Sequence, residues 1–447
     1  MNNISLKKRI CSRVAVTLLL LAIAPALFGA QPVVPPPIGA APDATPAWSE
    51  QESSNNEMQV FIPATAAKRA STQPFVLGPV IFRPHVNYDL TYATGLQNNT
   101  NISGTNNIGK PPTNSFDSII QTLSPGMTLD IGRHLTLDYT PTLTFYSDKH
   151  FKNTLNHAAS LNAATDYGDW GLGLNQSFSL SSAPLAETAQ QTETTDYKTT
   201  ASGTYTINEQ MYTELELDQD LNYVTGFEDS KTWSTMDWLN YSFWTRLSVG
   251  VGAGLGYISL SNDQPVRGQP EPGDQQFETL QAKVNWRATD KLSLAVNGGL
   301  QIQEYDAAVS PAVTSVNPVF GASIQYQPFK HTQLSLSANR TINPSDYNTQ
   351  SQSQITSSVL LSLNQRLLEK FYLDLSGGYT ENQFSQPSQA SVNNRTDNSY
   401  SFSARLSRNF LKHGNVSLHY QYSDNLSSTA GFTYHSSQVG VEVNYSY

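Results

Sequence analysis

Three carboxylates recur at every second position in Glu214-Leu215-Glu216-Leu217-Asp218, with leucines between them. Period two is the repeat of a β-strand, so the acids project from one face, about 7 Å apart at two residues of rise. Such a stripe attracts cations and presents the oxygen ligands that Ca²⁺ takes. The plainer expectation is a solvated wall balanced by Lys198 on the preceding strand. Lys283 and Arg405 lie on the polar parity of their own strands and complete the set of charged wall candidates. The eight histidines are scattered. His157 falls on an apolar face, and His150, His331 and His413 fall in loops or turns. None has a metal-ligand spacing such as HExxH, and neither GxSxG nor a Gly-rich phosphate loop occurs. No metal, cofactor or catalytic constellation is expected, and the chain reads as a non-enzyme.

The elements that hold these residues are strands. In Leu123 to Phe145, residues Leu123, Met127, Leu129 and Ile131 share one parity, with Thr128 and Asp130 on the other. After Gly132-Arg133-His134 the alternation restarts, with Leu135, Leu137, Tyr139, Leu143 and Phe145 set against Thr136, Asp138, Thr140, Thr142 and Thr144. This predicts a hairpin whose strands each have an apolar and a wet face. Each is long enough to cross a bilayer at a tilt, for which ~9–11 residues suffice.

The unit recurs to the final residue, and the count comes to about eighteen strands, 16–18 being plausible. Connections alternate between short turns and longer polar loops, among them Gly95 to Pro112, Ser181 to Thr194 and Asn262 to Gln275. Short periplasmic turns, long outer loops and an even strand number are the pattern of bacterial outer-membrane barrels.

Composition agrees. Hydrophobic residues make up 38% and charged residues 14%, below the ~45–50% and ~25% of soluble domains. Yet there are 22 Tyr, 18 Phe and 6 Trp, too many aromatics for a disordered chain. Mean hydropathy is −0.38, which excludes a bundle of membrane helices but not a barrel, whose apolar residues alternate.

Residues 1–30 read as an export signal. Lys7, Lys8, Arg9 and Arg13 precede the apolar run Val14 to Ile23, and small residues around Ala26 or Ala30 offer a cleavage site. Pro25 ends the run short of a membrane span. Cys11, the sole cysteine, would leave with the signal. Losing those four cations leaves 22 basic against 36 acidic residues, a net charge of −14, which argues against nucleic acid as a partner. Residues 31–80, opening with Pro-Val-Val-Pro-Pro-Pro, read as a flexible periplasmic segment, with a short strand at Met58 to Ile62. The barrel is assigned to 81–447.

The charges Asp130, Asp138, Lys198, Glu214, Glu216, Asp218, Lys283, Asp374, Arg405 and Glu442 all share the polar parity. Arg408 is an exception near a strand end, where it can reach the headgroups. Aromatics gather near strand ends as interfacial girdles do, for example Tyr92, Phe145, Trp170, Tyr241, Trp286 and Phe410. In hydrocarbon an open sheet edge leaves unpaired N–H and C=O groups, so the sheet must close. The fold expected is therefore an all-β, antiparallel, up-and-down transmembrane barrel. The last strand alternates Val439, Val441, Val443, Tyr445 and Tyr447, an insertion signature for the outer-membrane assembly machinery.

Several short motifs resemble the porin-like outer-membrane β-barrels found with exopolysaccharide loci. They are Tyr88-Asp89, Ser124-Pro125-Gly126 before Leu135 to Tyr139, Tyr146, Asn156-His157, Arg395-Thr396-Asp397, and Tyr420 to Ser428. The resemblance covers about Pro79 to Tyr447. It implies location and fold with a role in surface polysaccharide handling, and it supplies no catalytic residues. Three functions follow as expectations: a pore for saccharides, polysaccharide or small solutes; a structural or adhesive surface protein with a blocked lumen; and, least supported, a membrane enzyme. The expected surroundings are outer-membrane lipid and the assembly machinery.

Overall fold

A computed structural model describes residues 75–98, 115–185, 190–262, 273–305, 313–345, 353–368, 370–385, 395–429 and 432–447. The export signal, Cys11, the Met58 to Ile62 strand and nearly all of the Pro-rich segment lie outside the described residues.

Strands follow one another without a helix between them among the described residues. They are β1 (Phe75–Leu77), β2 (Val80–Gln97), β3 (Ser115–Ile131), β4 (Leu135–Tyr146), β5 (Thr154–Tyr167) and β6 (Trp170–Leu185). Next come β7 (Gln190–Thr206), β8 (Met211–Val224), β9 (Glu228–Trp244), β10 (Leu247–Asn262), β11 (Gln275–Thr289) and β12 (Leu292–Tyr305). The remainder are β13 (Val313–Phe329), β14 (Thr332–Pro344), β15 (Ser353–Leu367), β16 (Phe371–Ser385), β17 (Arg395–Phe410), β18 (Gly414–Ser427) and β19 (Tyr434–Ser446).

From β2 onward each strand pairs antiparallel with its chain neighbours, and β19 returns to β2 from Ser437↔Thr94 to Ser446↔His85. The eighteen strands β2 to β19 thus form one closed ring, the number read from the alternation. β1 is a short addition, paired to the start of β2 at Phe82, Ile81 and Val80. Closure leaves no row of unpaired backbone groups at a sheet edge.

The two faces of the ring divide as the parity predicts. Leu217, Val251, Leu280 and Leu418 stand at 59%, 60%, 68% and 53% exposure on the outside. The arrangement inverts a soluble domain, with apolar side chains outward and polar ones inward. One small apolar cluster lies at the long-loop end, where Phe151 packs on Ala93 and Leu96. It pins the connection after β4, in which Phe116 of β3 stacks on His150 at 3.8 Å. Within that connection the His150 backbone N–H donates to the Asp148 carboxylate at 2.7 Å, which holds this carboxyl below its usual range.

Two connections differ from expectation. Between Ser181 and Thr194 a long loop was expected, but β6 runs to Leu185 and β7 begins at Gln190, with Ser181 and Thr194 bonded across the pair at 2.8 Å. After Tyr223 the chain turns within Thr225–Phe227, around Gly226 at φ 83°, straight into β9. Beyond the lipid a strand needs only its backbone ladder, so it continues through Ser-, Thr- and Gln-rich sequence in which no apolar period is visible.

Candidate functional site

The candidate site is the inner wall. On β8, Glu214, Glu216 and Asp218 stand at alternate positions opposite Thr204, Ser202 and Thr200 of β7, and Asp220 adds a fourth acid to the ladder. Lys198 does not balance the three. It lies opposite Asp220, with Nζ 3.8 Å from that carboxylate, while the Thr200 hydroxyl donates to Asp218 at 2.7 Å. A second cation, Lys283, comes from β11 over two intervening strands to pair with Glu214 at the other end of the stripe. Its Nζ also lies 4.4 Å from the centroid of the Trp238 ring on β9, close enough for a cation–π attraction.

This crossing depends on β10. Its inner face is Gly250, Gly252, Gly254 and Gly256, while Val249, Val251, Ala253 and Leu255 face outward. A Cβ on Gly252 would come within 2.6 Å of Trp238, and one on Gly250 within 3.1 Å of Lys283. Side chains of β9 and β11 fold over the bare strand, so the glycines are the floor on which Trp238, Met236, Phe277 and Lys283 rest. The sequence reading missed this floor and its aromatic cover. The signal was present in Gly250-Val251-Gly252-Ala253-Gly254-Leu255-Gly256, where glycine alone holds one parity.

Arg405 belongs to a second inner group, on β17 to β2. Its guanidinium pairs with Glu442 of β19 at 2.6 Å, and the Ser417 hydroxyl donates to the same carboxylate at 3.2 Å. Beside it, His419 of β18 leans over Gly440 toward β2. His419 Nδ1 lies 3.5 Å from Asp89, and Nε2 lies 3.1 Å from the Thr91 hydroxyl, which in turn donates to Asp89 at 2.5 Å. Gly440 must stay bare, since a Cβ there would strike Thr91 and the His419 ring.

Asp89, His419 and Glu442 bring one ligand atom each within 4.8 Å of one another, the spacing of a metal site. Glu442 already carries the Arg405 guanidinium, so the group is internally neutralised and reads as an ion-pair network. No spacing rule could have found it, because its members come from β2, β18 and β19. Arg405, His419, Glu442 and Asp374 line a cavity of about 600 Å³ within the ring.

Two further groups mark the ends of the wall. Toward the short turns, Arg83 pairs with Asp130 at 2.7 Å, and Asp138 accepts from Thr128 and Thr140 at 2.5 and 3.0 Å. Toward the long loops, Arg395 clasps Asp397 through Nε at 2.9 Å and lies between the rings of Phe432 and Phe384, at 3.6 and 4.7 Å. Asn382, Asn425, Gln275 and Gln303 are buried at the same end.

On the outer face of β19, Val439, Val441 and Val443 lie opposite Tyr92, Leu90 and Tyr88 of β2, and Tyr445 opposite Val86. Tyr447 stacks on His413 at 4.7 Å and 8°, and its backbone N–H donates to Pro84 at 3.1 Å. These residues seal the seam of the ring.

The chain is similar in structure to the FrpB iron transporter of Neisseria meningitidis (F5-1 variant, apoprotein form), with TM-score 0.42 and 8% identity, covering 82% of this chain and 81% of that one. It is similar also to OccK11 (OpdR) of Pseudomonas aeruginosa, at TM-score 0.40, 12% identity, and 82% and 95% coverage. OccAB4 of Acinetobacter baumannii gives TM-score 0.40, 11% identity, and 82% and 98% coverage. Among curated proteins none matches the chain. Residues 274–447, which hold β11 to β19, match the family model described as Putative beta-barrel porin 2.

Proposed function

We propose that this chain is a porin-like pore of the bacterial outer membrane, delivered there by an N-terminal export signal and inserted by the assembly machinery. The observation that carries this reading is the closed eighteen-strand ring with an apolar outside and a charged, amide- and hydroxyl-rich inside. A ring of ~16–18 strands encloses a channel wide enough for water. The similarity of residues 274–447 to a porin family model supports it. Glu214, Glu216, Asp218, Lys198, Lys283 and Arg405 are the lumen residues that would set the local field for a passing solute. Small polar solutes, saccharides among them, suit a wall of carboxylates, amides and hydroxyls, and handling of surface polysaccharide is the setting that the sequence motifs resemble. Purified protein in a planar bilayer tests the pore: stepwise current supports it, and a silent bilayer removes it.

A second reading is a structural or adhesive surface protein with a blocked lumen. The packing of Arg395, Asp397, Phe384 and Phe432 at the long-loop end favours it. Silent bilayers together with full surface display would select it.

A further inference from the structure

Several acids on the outer parity, such as Glu278, Glu304 and Asp424, lie near the long-loop ends of their strands, but Asp237 lies deeper. Asp237 shares its parity with Leu239 and Tyr241 on β9, and register sets it between Leu215 of β8 and Ala253 of β10. Leu239 and Tyr241 are exposed, as are Leu217 and Val251 on the flanking strands, so Asp237 points outward with them. Its depth follows from the aromatics of the same strand. Trp233 lies four residues toward the long loops and Tyr241 four residues toward the short turns. At strand rise that is about 13 Å each way, which puts the carboxyl near the middle of an apolar band ~25 Å tall. Among the described residues its side chain takes a hydrogen bond from Thr235 at 3.2 Å, and no cation pairs with it.

An ionisable side chain at that depth ordinarily faces protein or water rather than acyl chains. Its direct cross-strand neighbours are Leu215 and Ala253, and four positions along, opposite Trp233, Gln219 of β8 opens a polar row that continues through Thr199 of β7 to Gln176 of β6. Ala201, Gly203 and Ala253 around them are small. Small residues let backbones approach inside a membrane, and amides and hydroxyls then bond across the contact. Nine strands away around the ring, β18 presents Val416, Leu418 and Tyr420 outward, and β19 presents Val439, Val441 and Val443.

We infer that the outer face of β6 to β10 is a contact between copies of this chain within the membrane, centred on Asp237. The patch holds both donors, the amides of Gln176 and Gln219 and the hydroxyls of Thr199 and Thr235, and an acceptor in Asp237. A second copy therefore supplies what the first needs, and a self-complementary patch is what symmetric assembly requires. The inference rests on the outer face meeting lipid, but it is independent of whether the lumen conducts.

The experiment places single thiols on the full chain carrying Cys11→Ser, using Ala253→Cys, Gly203→Cys and, on the opposite wall, Leu418→Cys. Native membranes are treated with a short bis-maleimide. A product of twice the chain mass at Ala253→Cys or Gly203→Cys, several-fold above Leu418→Cys, supports the contact. Adding Asp237→Leu should lower that product several-fold while heat-modifiable gel migration shows the barrel still folded. Should this variant fail to fold, Asp237→Asn and native mass spectrometry of the unaltered chain in mild detergent take its place, with an oligomer expected. Equal yields at all three positions, a purely monomeric mass, or an adduct with a protein of another size would each overturn it.

Discussion

Lys283 on β11 spans two strands to reach Glu214 on β8, its chain passing over the bare backbone of Gly250 and its ammonium over the indole of Trp238. One long side chain thereby ties together four consecutive strands. It is also the cation that meets the lower end of a four-acid ladder, so its removal should be felt in the field of the lumen before it is felt in the fold.

Replacing it with an apolar residue of similar length tests this. In Lys283→Met the acids of β8 lose that counter-charge, and the reversal potential in a KCl gradient should move toward the potassium value. The loss of the pair and of the cation–π contact costs about 1 kcal/mol of stability, because the pair is only partly shielded from water. An unshifted reversal potential in a folded, conducting variant would separate this site from the conduction path.

The converse change is Glu216→Gln, which removes one negative charge from the same ladder while keeping side-chain length. The preference for cations over anions should fall. If both variants moved the potential in the same direction, charge could not be the cause.

Gly252→Val places a Cβ where Trp238 already lies, at 2.6 Å. The indole and the lysine above it would be driven toward the channel axis, with single-channel conductance expected to drop and stability to fall by ~1–3 kcal/mol, as overpacking does. Val251→Ala, one residue earlier and on the outer face, is the control and should leave conductance alone.

Tyr447 holds the seam through its stack on His413 and its backbone bond to Pro84. Deleting Tyr445 to Tyr447 is expected to reduce the amount of heat-modifiable barrel recovered from membranes. Tyr447→Ala should reduce it less, since the Ser446 backbone N–H still donates to His413 at 3.0 Å. Undiminished recovery of the deletion would contradict an insertion role.

Much of the architecture was legible before any coordinates, because a lipid-facing strand writes its burial into the chain at period two. Leu135-Thr136-Leu137-Asp138-Tyr139 could not be anything else. Legibility ended where lipid ends: Gln190 to Thr194 is strand whose side chains carry no apolar rhythm, so by sequence it reads as loop. The inner wall was readable by parity and unreadable by contact. Lys283 could be assigned to the wet face, but that it meets Glu214, with Lys198 beside Asp220 instead, depends on the glycines of β10 and on stagger between strands. His419 with Asp89 joins residues more than three hundred positions apart, a pairing that only closure creates. Asp237 obeyed the parity rule and broke the charge rule, which is why it went unremarked among the leucines.

The seam between β19 and β2 also sets an order of events. Every other pairing in the ring joins strands made one after another, at small cost in chain entropy, whereas this one waits for a strand completed some 350 residues later. Until that moment the nascent sheet has two raw margins and cannot be left alone in hydrocarbon. Assembly of this protein is therefore a race between zippering the seam and losing those margins to some other strand.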